Sequence, residues 1–184
     1  MNLCFDALDK RVILGEADLP AIRGAVERDH AHLLEEVGAF AGLLRGVGVE
    51  AGTPVGVELA EPYAELLVLL ATARIGGTLV ELRGERLAEH RPHAVVTDRL
   101  LDLGGHAPGA VVLRGPEVVD PVRDLPWELA MRAGRSDPAG SVAVEAASIA
   151  WITDGPVAVG EALGADDRYA AWLRDFAAGR PVEV

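Results

Sequence analysis

Apolar positions along this chain switch repeatedly between helical spacing and short unbroken runs. Leu3, Phe5, Leu8, Val12 and Ile13 fall at roughly helical spacing and close on Gly15, which predicts a first helix. Pro20 to Arg28, with Gly24 at its middle, predicts a tight hairpin. Asp29 stands where an N-cap is needed for a helix carried by Leu33, Leu34, Val37, Phe40, Ala41 and Leu44. Gly46 and Gly48 end it. Thr53 to Leu59 reads as a strand, with Pro54 at its start, where a missing N–H matters least. Glu61-Pro62 opens a strongly apolar helix to Ile75, stopped by Gly76-Gly77.

The same alternation continues to the end of the chain. Strands are predicted at 78–82, 93–97, 110–113 and 146–152, with a short helix at 85–90. Asp124 to Ala133 predicts a helix holding Trp127, Leu129, Ala130 and Met131. Asp166 to Ala178 predicts a last helix, with Tyr169, Trp172, Leu173 and Phe176 at 3–4 spacing. Five short strands, apolar on both faces and separated by helices, predict an α/β fold: a mostly parallel five-stranded sheet with helices on both faces. No internal repeat or low-complexity linker divides it. The organisation expected is one α/β domain over 1–160. Residues 161–184 follow as a C-terminal helix that packs on its own sheet or on a partner.

Composition narrows the function. The formal charge is −12, which disfavours nucleic acid and anionic membrane as partners, because binding phosphates needs a net basic face. Half of the residues are apolar but only 4% are aromatic, so the core must be mainly Val, Leu, Ile and Ala. Cys4 is the single cysteine, which excludes an internal disulfide and a multi-cysteine zinc site. The first residues lack a basic segment followed by an apolar run, and Leu66–Ala73 is too short to span a bilayer. A cytoplasmic protein is expected. Lys10 is the only lysine, so any chemistry that needs one has one candidate.

Several blocks, taken in order, resemble a known family. They are Asn2 to Asp9 followed by Val12; His32 to Val37; Ala41 to Val49; and Gly52 to Val57. Glu61 to Leu66, Leu70 to Gly77, Arg91 to Thr97 and Asp124 to Leu129 continue the series. The series resembles the N-terminal subdomain of the acyl-adenylate-forming superfamily, nearest in look to the short-chain acyl-CoA synthetases. It covers about residues 2–157 and speaks more for fold than for function. The resemblance implies a phosphate-binding loop after the fifth strand, rich in Thr, Ser and Gly and ending in lysine. Here that stretch is Ile152-Thr-Asp-Gly-Pro-Val-Ala-Val-Gly160. Thr153 and Gly155 hold their places and are the only cofactor-binding candidates. Asp154 puts a negative charge where phosphates would sit, and Pro156 removes an N–H donor. The lysine is missing, and the family's later motifs have no counterpart in these 184 residues.

No catalytic residue and no metal ligand are therefore expected. His30 and His32 are two apart, His90 and His93 flank Pro92, and His106 sits in a glycine loop, none at helical metal-ligand spacing. Ser141 and Ser148 lack a nucleophile-elbow context, and Ser148 is placed in a buried strand. Cys4 reads as a small core residue. Gly76-Gly77 and Gly104-Gly105 read as helix ends and turns. Arg83, Arg86, Arg91 and Arg99 read first as a solvated face; they are also the best anion-binding candidates, in the region where the resemblance implies contacts to the CoA phosphates, although the family's basic segment there is shortened to Asp102–Gly109. The expected function is that of an AMP-binding, acyl-CoA synthetase-like protein without adenylation activity of its own, acting in binding, assembly or regulation. No cofactor is required, weak ATP, AMP or CoA binding aside. A subunit of an acyl-activating complex, or a small acyl-CoA or nucleotide binder, are the alternatives. The apolar stripe of the last helix predicts a homodimer, or a partner protein, through the C-terminal segment.

Overall fold

The computed structural model describes residues 1–184. The first helix begins with a π-helical stretch, Phe5–Asp9, and continues as α1 (Lys10–Ile13). Asn2 anchors its start. The side-chain amide donates to the carbonyls of Ala73, Arg74 and Val142 at 2.9, 3.1 and 2.7 Å. Its oxygen accepts from Phe5 N–H at 3.0 Å. One buried asparagine thus ties the first helix to the end of another, satisfying carbonyls that a helix C-terminus leaves open.

The predicted hairpin is β1 (Pro20–Arg23) and β2 (Arg28–Asp29), paired antiparallel. Gly24 turns it with φ of +117°, and a Cβ there would lie 2.1 Å from the Val184 oxygen. Only glycine fits. Asp29 then caps α2 (His30–Gly46), its carboxylate accepting from His32 N–H at 2.8 Å.

Seven strands form the main sheet. In chain order β3 is Pro54–Glu58, β4 Thr78–Glu81, β5 Ala94–Thr97, β6 Ala110–Leu113, β7 Asp124–Pro126, β8 Ile149–Ile152 and β9 Pro156–Ala158. Their spatial order is β7-β6-β5-β3-β4-β8-β9, all parallel except β9. The α/β class and the mostly parallel sheet are as expected. The strand count rises from five to seven because β7 and β9, three residues each, are too short to show a period. Ser148 lies half-buried in a bend before β8, outside the strand expected to hold it.

Helices cover the two faces unequally. One face packs against α2, α3 (Pro62–Arg74), α5 (Trp127–Ser136) and α6 (Arg168–Ala177), joining Val55, Val57, Leu79, Val96 and Trp151 to the main core. The other buries Val80, Leu82, Val95, Val111 and Leu113 under Leu87 of α4 (Arg86–His90) and Leu101 and Leu103 of the loop after β5. Two glycines let α2 and α5 touch backbone to backbone. A Cβ on Gly134 would stand 1.8 Å from the Ala39 oxygen, and one on Gly42 2.2 Å from the Asp137 oxygen.

The chain after residue 158 folds back onto the same body. A 3-10 helix, Val159–Gly164, leads to α6, and β10 (Val182–Glu183) pairs parallel with β1. Tyr169, Leu173 and Phe176 are buried in the main core, and Trp172 packs against it half-buried. The stripe expected to pack on its own sheet or on a partner lies buried within its own chain. No helix is long and apolar enough to cross a membrane.

Candidate functional site

The stretch that resembles a phosphate loop is the turn of a hairpin. Trp151 pairs with Val157 and Ile152 with Pro156 across β8 and β9. Between them Thr153 N–H donates to the Gly155 oxygen at 3.2 Å. The Thr153 hydroxyl lies 3.4 Å from the Asp167 carboxylate, and the buried Trp151 indole N–H donates to the same oxygen at 2.7 Å. The other Asp167 oxygen accepts from Ala170 N–H at 2.9 Å and caps α6. Asp167 therefore joins the β8 turn to the last helix. The structure brings Thr153 and Gly155 into one turn, but with the Thr153 N–H and hydroxyl directed to internal acceptors.

Charge around this turn is arranged for the protein itself. A cleft of about 370 Å³ opens beside it, lined by Asp154, Asp166, Asp167 and Glu81 against Arg83 and Arg168. The two guanidiniums are already engaged. Arg83 pairs with Glu81 at 2.9 Å, and Arg168 bridges Glu81 at 2.7 Å and Glu65. Glu65 is buried in the first turn of α3 and accepts from the Tyr169 hydroxyl at 2.6 Å. Burial raises its carboxyl above the ordinary range, although the Tyr169 hydrogen bond and the Arg168 charge favour the ionised form. Burial and the Glu65 charge likewise raise the Tyr169 phenol, so it stays a donor. Asp154 projects fully into solvent and pairs with Arg86 at 3.0 Å. Its single charge is thus partly answered, and carboxylates outnumber guanidiniums in the cleft as a whole.

The four candidate arginines do not converge. Arg83 and Arg99 line a second cleft, of about 450 Å³, at the carboxyl ends of β3, β4 and β5. Arg99 is paired there with Glu58. Arg86 turns away to Glu81 and Asp154. Arg91 ends α4 in the left-handed region, with φ of +43°. Three histidines face separate backbone carbonyls, His30 that of Leu19, His93 that of Val47 and His106 that of Pro92, while His32 lies against the Asp29 carboxylate and His90 near that of Glu89. Cys4 is fully buried, and burial pushes its thiol up to about 12 despite the Arg74 guanidinium nearby. It is a packing residue.

The network of Glu65, Glu81 and Arg168 was not singled out from the sequence. A signal existed. Glu65 is the one charged residue among Ala64 to Ala73, a run otherwise buried almost throughout, and a buried charge needs partners.

No family model matches the sequence. A curated mouse protein, the mitochondrial acyl-CoA synthetase short-chain family member 3, is 24% identical over 173 aligned positions, covering 74% of this chain and 25% of the relative. An acyl-CoA synthetase from Brucella canis superposes over all of this chain and 42% of its own, with TM-score 0.74 and 18% identity. The coronafacic acid ligase of Pectobacterium brasiliense does so over all of this chain and 45% of its own, with TM-score 0.79 and 13% identity. The chain has the fold of an acyl-CoA synthetase. It spans a quarter of the curated relative and under half of each solved acyl-CoA synthetase-like chain, so the likeness concerns one part of such an enzyme. The expected resemblance stands, and the two solved structures superpose over the whole chain.

Proposed function

We propose that this chain is an acyl-CoA synthetase-like module without adenylation activity of its own, serving in binding, assembly or regulation. One observation carries the reading. The turn after β8, where the resemblance implies phosphate donors, is closed by internal hydrogen bonds and faces a cleft with four carboxylates and two committed guanidiniums. Phosphate binding of the family type relies on free N–H donors and net positive charge. Thr153 and Gly155 are remnants of that loop in this reading, and ATP, AMP and CoA are not its working ligands. A cytoplasmic setting belongs to the same reading; Cys4 is free and buried and asks for no oxidising compartment.

ATP–pyrophosphate exchange by the 184-residue chain, with short carboxylic acids as co-substrates, is the test. Exchange no higher than the enzyme-free blank is expected. Exchange driven by any such acid overturns the reading.

The share of the relatives that is spanned favours a second reading, in which this chain supplies part of an acyl-activating site and a second chain the rest. Co-purification with a chain bearing the rest of such an enzyme, and exchange activity only in that complex, would select it.

A further inference from the structure

A groove of about 360 Å³ runs along the first helix, separate from the cleft at the β8 turn, and eight of its twelve lining residues are apolar. One wall is that helix and its two ends: Leu3, Asp6, Ala7 and Lys10 on the helix, Met1 before it and Leu14 at its C-cap. Leu163 of the 3-10 helix and Leu173 of α6 line the other. Met1, Leu14 and Leu163 stand 59%, 64% and 48% exposed, an unusual grouping of large apolar side chains in water. The helix itself runs from residue 3 to residue 13, roughly 16 Å at the helical rise, a length that a second helix can match.

The charges on this face are unanswered. Arg11 is committed to Glu16 and to the carbonyls of Phe176 and Ala177. Asp6 and Lys10, exposed and four residues apart, form no ion pair, with each other or with any other side chain. A face bearing one acid and one base at that spacing is complementary to itself turned end for end. A two-fold centred near position 8 sets 6 against 10 and 14 against the 1–3 end, with the small Ala7 near the crossing. Two-fold contacts have this reciprocal form, residue i on j and j on i.

We propose that this groove is an interface with a second copy of the same chain, the first helices lying antiparallel so that Lys10 pairs with the partner's Asp6 and Leu14 packs at the partner's Met1. It is a different surface from the α6 stripe, which is already buried. The inference stands apart from the nucleotide question, since the groove shares no residue with the β8 cleft.

Sedimentation velocity of the full chain over a concentration series reaching about 100 μM tests it. A concentration-dependent dimer is expected for the wild type. Lys10→Glu alone and Asp6→Lys alone should each weaken it by roughly tenfold or more, because both place like charges together twice. An equimolar mixture of the two variants should associate again, since the mixed pair has both ion pairs restored. Both substitutions are at exposed positions, and circular dichroism of each variant confirms folding. A wild type that stays monomeric, a dimer that survives both reversals, or a mixture that stays monomeric overturns the proposal.

Discussion

Asp167 shows how one residue sets the state of the β8 turn. It caps α6, accepts from Trp151 and draws in the Thr153 hydroxyl, so a side chain that could face a phosphate faces inward. Asp154 and Pro156 act on the same turn from the solvent side. Replacing both, Asp154→Ser with Pro156→Thr, removes a carboxylate, leaves Arg86 paired with Glu81 alone and restores an N–H. A measurable rise in ATP or AMP affinity over wild type, by calorimetry, is expected. No gain would mean that the surrounding acid excess alone excludes phosphates. Glu65 gives a prediction in pH. Burial raises its folded pKa above the unfolded value, so the folded protein holds that proton to a higher pH than the unfolded chain. Stability present below the ordinary carboxylate range is therefore lost as pH rises through the folded pKa. Glu65→Gln keeps an acceptor for Tyr169 and does not titrate. Its stability relative to wild type should be greater at about pH 8 than at about pH 5, read from urea unfolding. A wild type that gains on the variant as pH rises would contradict the assignment.

Elements were legible where they were long or clearly punctuated. Asp29 before an apolar 3–4 pattern, Pro62 at the first turn of α3 and Gly24 in the hairpin each name a local backbone state, and the structure has all three. The short pieces were not legible, because two or three residues carry no period. The region 124–133 is instructive. It was expected to be helical throughout, yet Asp124–Pro126 is β7 and the helix starts at Trp127. Pro126 explains this: it disfavours helical backbone at Leu125 and is extended itself, with ψ of 138°. Thr153 and Gly155 were legible as neighbours in a turn, but the committed donors were not, since Asp167 lies on a distant segment. The α2–α5 contact was likewise hidden, because sequence does not say which glycines meet a backbone. Gly134→Ala should cost about 1–3 kcal/mol through overpacking against Ala39. Gly46→Ala, in the last turn of α2 with open space around it, should be neutral or stabilising by up to about 1 kcal/mol. Thermal unfolding of the two variants checks the contrast, and equal effects would deny the close crossing.

At the scale of the whole molecule, an acyl-CoA synthetase-like sheet is closed by its own last helix. Arg168 and Tyr169 fasten α6 to Glu65 and Glu81, and β10 ties the chain end to β1. The resulting body has a continuous core but leaves the β8 turn facing a carboxylate-rich cleft. Equilibrium titration of magnesium-ATP into the 184-residue chain asks directly whether that cleft takes a nucleotide. Binding weaker than about 1 mM, without a saturable one-to-one isotherm, is expected. A saturable isotherm in the micromolar range would contradict the account.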